Sequence, residues 1–352
     1  MKIYQLLHTL SYGDAISSEV LAFDRVFKES GFESEVYAIN VHPHYKSSVK
    51  DYRNIPRNLS GEVILHYSLG SPINTLFKNA EGIEKTIIYH NLTPARWFEG
   101  INPRISSDIN QGLKELPDLC RIAGRLLADS SFNAQELQSL GFNAEVLSLP
   151  VDPNRWAKER NPGIYKLLKT SSNFNVLHVG RLAPNKCIED IIKSFYFLYY
   201  HINKNSHLWL VGIDIDTELY SFALKRLVHE LHLRDVVHFV GCLSDEELRS
   251  MYEASDVYVC MSEHEGFCLP LVEAMHFGLP VIAYASSAIP ETMGDAGILV
   301  CEKKHAELAE LINKVAEDAT LRRQLIEAGK KREVKLSFEV FREKVRQIFR
   351  IN

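Results

Sequence analysis

The feature that most constrains the fold of this chain is a regular alternation of short apolar runs with helical stretches. The runs are rich in Val, Ile and Leu, and they are KIYQLLH, EVYAI, EVILHYS, TIIYH and RLLADS in the first half, then NVLHVG, HLWLVG, VVHFVG, DVYVCMS, PVIAY and GILV. Such runs, separated by helices, are typical of parallel sheets that helices cover. The pattern predicts an α/β protein with two doubly wound sheets.

Length and local composition predict where the chain divides. Its 352 residues exceed what one hydrophobic core ordinarily holds, so two domains are expected. Prolines, glycines, serines and charges mix near the middle of the chain, which indicates a linker. The predicted divisions are an N-terminal domain, a linker, a C-terminal domain and a final amphipathic helix, at 1–155, 156–173, 174–336 and 337–352. That helix begins at Ser337 and can pack back on the N-terminal domain. The default ligand site is a cleft between the domains.

Charge and cysteine usage exclude several classes of protein. The formal net charge of −5 implies no strongly basic face, so no nucleic-acid partner is expected. The six cysteines are scattered without CxxC pairs, which predicts neither a zinc site nor a disulfide framework. The opening MKIYQLLHTLSYGDA lacks the apolar core of a signal peptide, and no run of about 18 apolar residues follows. We therefore expect a cytoplasmic protein.

The stretch SEHEGFCLPLVEAMHFGLPVIA, residues 262–283, places two glutamates around the start of a helix. Pro270 suits a first helical turn, and Gly278 suits the C-terminal stop. Glu265 should therefore lie just before the helix and Glu273 on it. A loop that enters a helix offers backbone N–H groups to an anion. A carboxylate beside that anion must recognise something else, and sugar hydroxyls are the obvious candidates.

The stretch HVGRLAPNKCIEDI places two cations at the end of a predicted strand. The strand ends near Gly180, and Arg181 and Lys186 follow it before the next helix. Cations at the carboxyl end of a strand, beside a helix N-terminus, can neutralise a diphosphate. The alternative is that both are solvated loop charges, as most charged residues are.

These two stretches in this order resemble the nucleotide-binding half of the family 4 retaining glycosyltransferases of GT-B fold, whose mark is a glutamate, seven residues and a glutamate. The resemblance continues through IPETMGDAGILV and covers most of 174–301. SYGDA, YHNLTPARWF and ADSSFNAQELQSLGF resemble the acceptor domain of that family more loosely. The resemblance implies two Rossmann-like domains that face a central cleft.

The resemblance also implies roles for single residues. Glu273 would hold the ribose hydroxyls of the nucleotide, and Glu265 would hold the hydroxyls of the transferred sugar. Arg181 and Lys186 would grip the diphosphate and stabilise its growing charge. The backbone amides that add the helix dipole would be those of Gly266, Phe267, Cys268 and Leu269. In the alternative interpretation both glutamates are surface charges.

In the first half the resemblance singles out Gly13 and His90. Gly13 would let the SYGDA loop approach the diphosphate, although an ordinary tight turn explains it nearly as well. Asp14 can cap the helix that follows. His90 would hydrogen-bond a hydroxyl of the reacting sugar or the departing oxygen, and a core histidine satisfied by backbone is the alternative. His66, at another strand end, is a lower-ranked candidate.

Two features call for separate interpretation. Family members commonly have glycine where this chain has Cys268, and we interpret this cysteine as a tolerated small residue. A nucleophilic thiol would need a nearby base, and neither His264 nor His276 has a third group that would orient it. The DID sequence at 214–216 resembles a metal-binding motif of another fold, but here Asp216 can cap a helix. Two cations are available for the phosphates, so no metal and no cofactor are predicted.

The predicted function is transfer of a sugar, with retention, from a UDP- or GDP-linked donor to a glycan or lipid-linked acceptor held mainly by the N-terminal domain. Because no second carboxylate is placed as a nucleophile, front-face displacement is the hypothesis. The alternatives are a nucleotide-sugar epimerase or phosphorylase of the same fold and a catalytically idle relative that binds sugar nucleotides. The basic stretch at 42–58 can graze an anionic membrane surface, although a solvated loop is the simpler interpretation.

Overall fold

The computed structural model describes residues 2–170, without the side chain of Thr170, and residues 173–351. This chain divides into two compact units, each built on its own sheet. The first unit consists of the residues up to Arg96, Pro103–Asp152 and the residues from Leu336 onward, and the second of Trp97–Asn102 and Pro153–Lys335.

The first unit contains a seven-stranded parallel sheet. Its strands are β1 (Lys2–Leu10), β2 (Glu33–Val41), β3 (Lys50–Asp51), β4 (Glu62–Tyr67), β5 (Glu84–Tyr89), β6 (Arg125–Ala128) and β7 (Glu145–Val146). The order across the sheet is β3-β2-β1-β4-β5-β6-β7. The strand order therefore reverses between β1 and β4. At such a reversal, doubly wound sheets leave a crevice at the carboxyl ends of the strands.

Helices cover both faces of this sheet with apolar stripes. They are α1 (Ala15–Glu29), α2 (Pro72–Asn79), α3 (Pro103–Ile122) and α4 (Ser131–Ser139). In α1 the buried positions Val20, Phe23 and Phe27 recur at helical spacing and pack against the sheet. The helix begins after Asp14, whose carboxylate accepts a hydrogen bond from the Ser17 amide at 2.9 Å. This is the N-cap that the sequence predicts.

The second unit contains a six-stranded parallel sheet. Its strands are β8 (Phe174–Val179), β9 (Ser206–Val211), β10 (Val237–Gly241), β11 (Val257–Cys260), β12 (Val281–Tyr284) and β13 (Ile298–Val300). Their order is β10-β9-β8-β11-β12-β13, so the strand order reverses between β8 and β11. The prediction of an α/β chain with two doubly wound sheets is confirmed.

The helices of the second unit are α5 (Pro162–Thr170), α6 (Ile188–Phe197), α7 (Glu218–Glu230), α8 (Asp245–Ala254), α9 (Leu269–His276), α10 (Ile289–Met293), α11 (His305–Glu317) and α12 (Ala319–Val334). The core of this unit joins the strands to α6, α7 and α11 through buried side chains such as Ile191, Leu224 and Ile312. These side chains are 1–2% exposed.

The boundaries of the units differ from those predicted. The second unit begins at Pro153, and helix α5 occupies half of the segment 156–173 that the sequence predicts to be a linker. That segment belongs to the second unit because Asn161 donates to the Glu246 carbonyl oxygen, 3.0 Å away, on α8. At the other end of the chain, helix α13 (Phe338–Ile348) begins after Ser337 and lies in the first unit, where it packs on α1.

Candidate functional site

Two loops of the second unit meet where the strand order of its sheet reverses. Arg181 and Lys186 follow β8, and Glu265 lies in the loop that joins β11 to α9. Since β8 and β11 are neighbours, their carboxyl ends open at the same edge of the sheet. This edge is the place where doubly wound sheets bind ligands.

Lys186 and Glu265 form a buried ion pair at this edge. The Lys186 ammonium lies 2.7 Å from Oε1 and 2.8 Å from Oε2 of Glu265. The Glu265 side chain is only 8% exposed and that of Lys186 20%. Burial opposes the charge of Lys186, but the neighbouring Glu265 carboxylate outweighs it and raises the pKa of the amine above its ordinary value. The sequence prediction placed both residues near one ligand, and the structure brings them into direct contact.

Asn185 fixes the two loops against each other. Its carbonyl oxygen accepts from the amide of Glu263 at 2.9 Å, and its side-chain amide donates to the carbonyl oxygen of His264 at 3.0 Å. On the far side of the loop, the amide of Glu265 donates to the Ser287 hydroxyl at 2.8 Å. These bonds hold the Glu265 backbone before any ligand arrives. Sequence reasoning missed Asn185 and Ser287, because their partners lie far along the chain.

Helix α9 begins directly after this loop, as predicted. Cys268 precedes its first residue and has a φ of +71°, in the left-handed region. That conformation suits glycine and is unfavourable for other residues, which explains why glycine is common at this position in the family that the segment resembles. The Thr292 hydroxyl donates to the Phe267 carbonyl oxygen at 2.6 Å and stabilises the turn. Pro270 lies in the first turn of α9 and Gly278 just past its end, in the positions predicted.

Glu273, on α9, has two protein partners that sequence reasoning missed. The Arg155 guanidinium donates to Oε1 at 2.5 Å, and the Tyr252 hydroxyl donates to Oε2 at 2.8 Å. Arg155 also binds Asp245 at 2.8 Å and lies over the ring of Trp156. Burial opposes the charge of Arg155, but the two carboxylates raise its pKa above the ordinary value. Arg155 lies just before the segment predicted to be a linker, and no local motif indicated that it would contact Glu273.

Arg181 lies at the same strand end with a more exposed side chain. Its guanidinium donates to the carbonyl oxygen of Ile215 at 2.7 Å, in the loop after β9. This loop contains the DID sequence. Asp216 has a φ of +65° and is not the cap of α7, since Thr217 holds that position, so the predicted capping role is wrong. In the ranges that the structure covers, neither Asp214 nor Asp216 belongs to a group of three side chains able to hold a metal ion.

His90 and His66 lie in a buried chain of polar side chains in the first unit. His90 Nδ1 is 2.9 Å from Asp129 Oδ2, and its Nε2 is 3.0 Å from His66 Nδ1. His66 Nε2 in turn lies 3.0 Å from Gln5 Oε1. The His90 side chain is 0% exposed. Because both ring nitrogens are engaged inside the core, the geometry favours the core-histidine alternative, and a role of His90 at the sugar stays a prediction.

Glu19, on α1, lies beside this chain with its side chain fully buried. Its Oε2 is 3.4 Å from His90 Nδ1, and neither carboxylate oxygen has a hydrogen-bond partner among the described residues. Burial, and then the charge of Asp129, raises the pKa of Glu19 well above its ordinary 4.5. Burial also lowers the pKa of His66 well below its ordinary 6.5. The cluster therefore favours uncharged forms of Glu19 and His66.

Gly13 lies in the turn between β1 and α1, with a φ of +75°. A methyl group at its Cα would meet no atom within 4 Å, so the backbone conformation and not crowding favours glycine here. The turn interpretation accounts for this geometry. Contact of Gly13 with a diphosphate stays a prediction.

The basic stretch 42–58 is partly folded into the first unit. Lys50 lies in β3 and pairs with Glu35 at 2.9 Å, and Arg53 pairs with Asp51 at 2.6 Å. Two of its cations therefore have acidic partners, and contact with a membrane surface stays a prediction. Within the part of the chain that the structure covers, none of the helices has both the length and the apolar character needed to cross a bilayer.

Comparison with known sequences shows which protein families the second unit resembles. Residues 164–332 match the family model described as glycosyl transferases group 1. The MMP alpha-(1->4)-mannosyltransferase of Mycolicibacterium hassiacum is 35% identical over 115 residues, which are 32% of this chain and 28% of that protein. The N-acetyl-alpha-D-glucosaminyl L-malate synthase of Bacillus anthracis is 28% identical over 206 residues, 58% of this chain and 51% of that protein. The chain thus spans about half or less of these relatives, and the family match is confined to the second unit.

Comparison with solved structures shows the fold. The crystal structure of Anabaena HepE in complex with UDP and glucose matches with a TM-score of 0.80 and 17% identity, over 99% of each chain. The predicted GT-B fold of two Rossmann-like domains is confirmed.

Proposed function

We propose that this chain is a retaining glycosyltransferase that moves a sugar from a UDP- or GDP-linked donor to a glycan or lipid-linked acceptor. The observation that carries the proposal is the buried Lys186–Glu265 pair, which lies directly before α9 at the sheet edge where the strand order reverses between β8 and β11. It places a fixed cation and a fixed carboxylate side by side, which suits a ligand with a diphosphate next to a sugar.

In this proposal Lys186 and Arg181 bind the diphosphate. Both follow β8, and the raised pKa of Lys186 keeps the amine charged at neutral pH. The N–H groups at the start of α9 add a positive end of a helix dipole. As the sugar leaves, charge grows on the diphosphate, and cations fixed in advance stabilise that charge at no further cost of reorganisation.

Glu265 and Glu273 bind hydroxyl groups at either end of the diphosphate. A carboxylate offers about four acceptor positions. On Glu273 one is taken by Arg155 and one by Tyr252, so about two remain for the two ribose hydroxyls. Glu265 has Lys186 as its side-chain partner, and its remaining positions suit the transferred sugar.

The proposed chemistry is front-face displacement, with the diphosphate oxygen accepting the acceptor's proton. Glu265 is a poor candidate for a covalent nucleophile because its charge is already held by Lys186. No divalent ion is needed, since two cations face the phosphates. The acceptor is assigned to the first unit because its segments resemble the family's acceptor domain.

A donor panel and the product anomer test the proposal. Calorimetry with UDP and GDP identifies the base, and the corresponding hexose donors are then incubated with candidate acceptors in the presence of EDTA. We expect one nucleoside diphosphate to bind, and NMR of the product to show the anomeric configuration of the donor. An inverted product would rule out front-face displacement, and activity that EDTA abolishes would rule out metal independence.

Incubation of the donor without acceptor separates the proposal from its rivals. An epimerase interconverts the donor alone, and a phosphorylase requires inorganic phosphate. A catalytically idle relative binds the nucleotide but gives no product with any acceptor. We expect slow hydrolysis at most when the acceptor is omitted.

A further inference from the structure

Two buried cysteines flank the loop that contains Glu265. Cys260 ends β11 and Cys268 precedes α9, and their sulfur atoms lie 3.9 Å apart. Both are free thiols, and the proposed transfer uses neither. Together with the Glu265 carboxylate they form a group whose ligating atoms all lie within 4.8 Å of one another. Two sulfurs and one carboxylate oxygen are therefore close enough to be considered as ligands of one ion.

The spacing of these atoms fits a tetrahedral zinc ion. Two sulfurs bound to zinc at about 2.3 Å lie about 3.8 Å apart in a tetrahedron, and Cys260 and Cys268 already have a separation of 3.9 Å. Thiolate and carboxylate are ligands that zinc accepts, and three protein ligands leave one position for water. The two sulfurs therefore already have the separation that the ion requires.

The local charges also fit a divalent ion. Without metal, two neutral thiols surround the ion pair of Lys186 with Glu265, and the net charge is zero. Zinc binding deprotonates both thiols, so two thiolate charges cancel the two charges of the ion and the net charge stays zero. A buried site that remains neutral avoids the large cost of an uncompensated charge.

We propose that Cys260, Cys268 and Glu265 form a binding site for zinc-class divalent ions, and that an ion there inhibits the proposed sugar transfer. The ion inhibits because it takes the Glu265 carboxylate that would otherwise bind the sugar. A glycine at position 268 would abolish the site, so the site depends on the departure of this chain from the family pattern. The binding itself does not depend on the proposed function.

A second thiol cluster competes with this assignment and is weaker. Cys187, Asp190 and Glu263 also lie within reach of one ion. The Lys303 ammonium, however, donates to Asp190 at 2.9 Å and to Glu263 at 2.7 Å. Both sites have an ammonium beside them, but a divalent ion there would bind one thiol, whereas the first site offers two. Cys187 also has a positive φ, of +48°, which makes it a matched control for Cys268.

The test is a cobalt titration of the reduced full-length protein, because Co²⁺ bound to thiolates absorbs in the near ultraviolet. We expect one equivalent of Co²⁺ to give this absorption and Zn²⁺ to displace it. Cys260→Ala and Cys268→Gly should each weaken Co²⁺ binding by more than about 100-fold, since even the loss of an outer-shell partner costs up to that factor. Cys187→Gly should keep native binding.

The outcomes that overturn the assignment are equally defined. Absence of thiolate absorption with native protein refutes the site, and so does absorption that survives in both Cys260→Ala and Cys268→Gly. Circular dichroism checks the fold of each variant, and either variant suffices if the other misfolds. In transfer assays Zn²⁺ should inhibit the native protein and not Cys260→Ala. Failure of transfer altogether would count against the proposed function and leave the cobalt result intact.

Discussion

At the scale of single residues, the two glutamates of the α9 segment differ in what holds them. Glu273 is held by Arg155 and Tyr252, whereas Glu265 pairs with Lys186. If Glu273 binds ribose, Glu273→Gln should weaken binding of the bare nucleoside diphosphate by about 1.5–3 kcal/mol, the range for charge-assisted hydrogen bonds. Glu265→Gln should leave that binding nearly unchanged and lower turnover. Calorimetry and steady-state rates on both variants measure this.

The control for these variants is Arg155→Lys, which keeps a charge near Glu273 but loses the planar guanidinium that binds two carboxylates. It should weaken nucleotide binding less than Glu273→Gln does. Native affinity of Glu273→Gln for the nucleoside diphosphate would refute the ribose assignment, whatever the turnover.

Glu19 gives a second prediction at this scale, on pH dependence. Its pKa is raised by burial and by Asp129, so the folded protein keeps the carboxyl protonated above pH 4.5, where the unfolded chain ionises it. The contribution of the protonated Glu19 carboxyl to stability is full below the unfolded pKa and is lost as pH rises toward the folded pKa. Native protein should therefore lose stability relative to Glu19→Gln, by up to about 1.4 kcal/mol for each pH unit in that window.

Urea unfolding between about pH 5 and pH 8 measures the difference between Glu19→Gln and native protein. Glu29→Gln, on the same helix with a side chain 46% exposed, is the control and should show no such trend. A constant difference across this range would show that Glu19 is ionised in the folded protein.

The residues that the sequence singled out belong to local motifs, whereas those that it missed depend on partners far along the chain. Lys186 and Glu265 were found because each belongs to a local pattern of strand, loop and helix. Arg155 was missed because its role depends on Glu273, 118 residues away. Asn185 binds His264, 79 residues away, by a side-chain contact that no local pattern predicts. For His90 the sequence left two interpretations open, because a strand end alone does not tell whether a side chain faces solvent or the core.

At the scale of elements, the start of α9 depends on the left-handed conformation of Cys268. Cys268→Gly and Cys268→Ala both remove the thiol, so their difference isolates the backbone. A non-glycine residue in this conformation costs about 1–2 kcal/mol. We expect Cys268→Gly to be more stable than Cys268→Ala by about 1 kcal/mol. Denaturant unfolding of the pair measures the difference, and equal stability would show that the turn relaxes.

The strands and helices that the sequence predicted share a strong apolar pattern. All eleven apolar runs became strands, because continuous Val, Ile and Leu in short runs suit a buried parallel sheet. The two-residue strands β3 and β7 are too short for any periodicity. Helix α5 was taken for a linker because of its Pro and Gly, although Pro162 occupies the first position of the helix, where proline is favoured.

At the scale of the whole molecule, the chain leaves the first unit and returns to it. Phe341, on α13, is 2% exposed and packs edge-on against Phe23 of α1, with ring centroids 5.0 Å apart. Phe341→Ala should destabilise the first unit by about 3–5 kcal/mol. Val340→Ala, at a position 37% exposed on the same helix, should change stability by less than about 0.5 kcal/mol.

Hydrogen exchange resolved along the chain measures where the Phe341→Ala effect falls. We expect faster exchange in β1 and α1 and unchanged exchange in β8 and β11. An equal effect in both units would show that they unfold as one cooperative body.

The return of the chain to the first unit sets an order for folding during synthesis. The second sheet and all eight helices named for that unit come from one continuous stretch, Pro153–Lys335, which is synthesised before α13. The first unit is made earlier but lacks α13, so the side of Phe23 that packs against Phe341 stays uncovered until α13 is synthesised. A nascent chain paused within the second unit would therefore expose an apolar surface on α1. Chaperones that bind exposed apolar surface would recognise this partly folded chain.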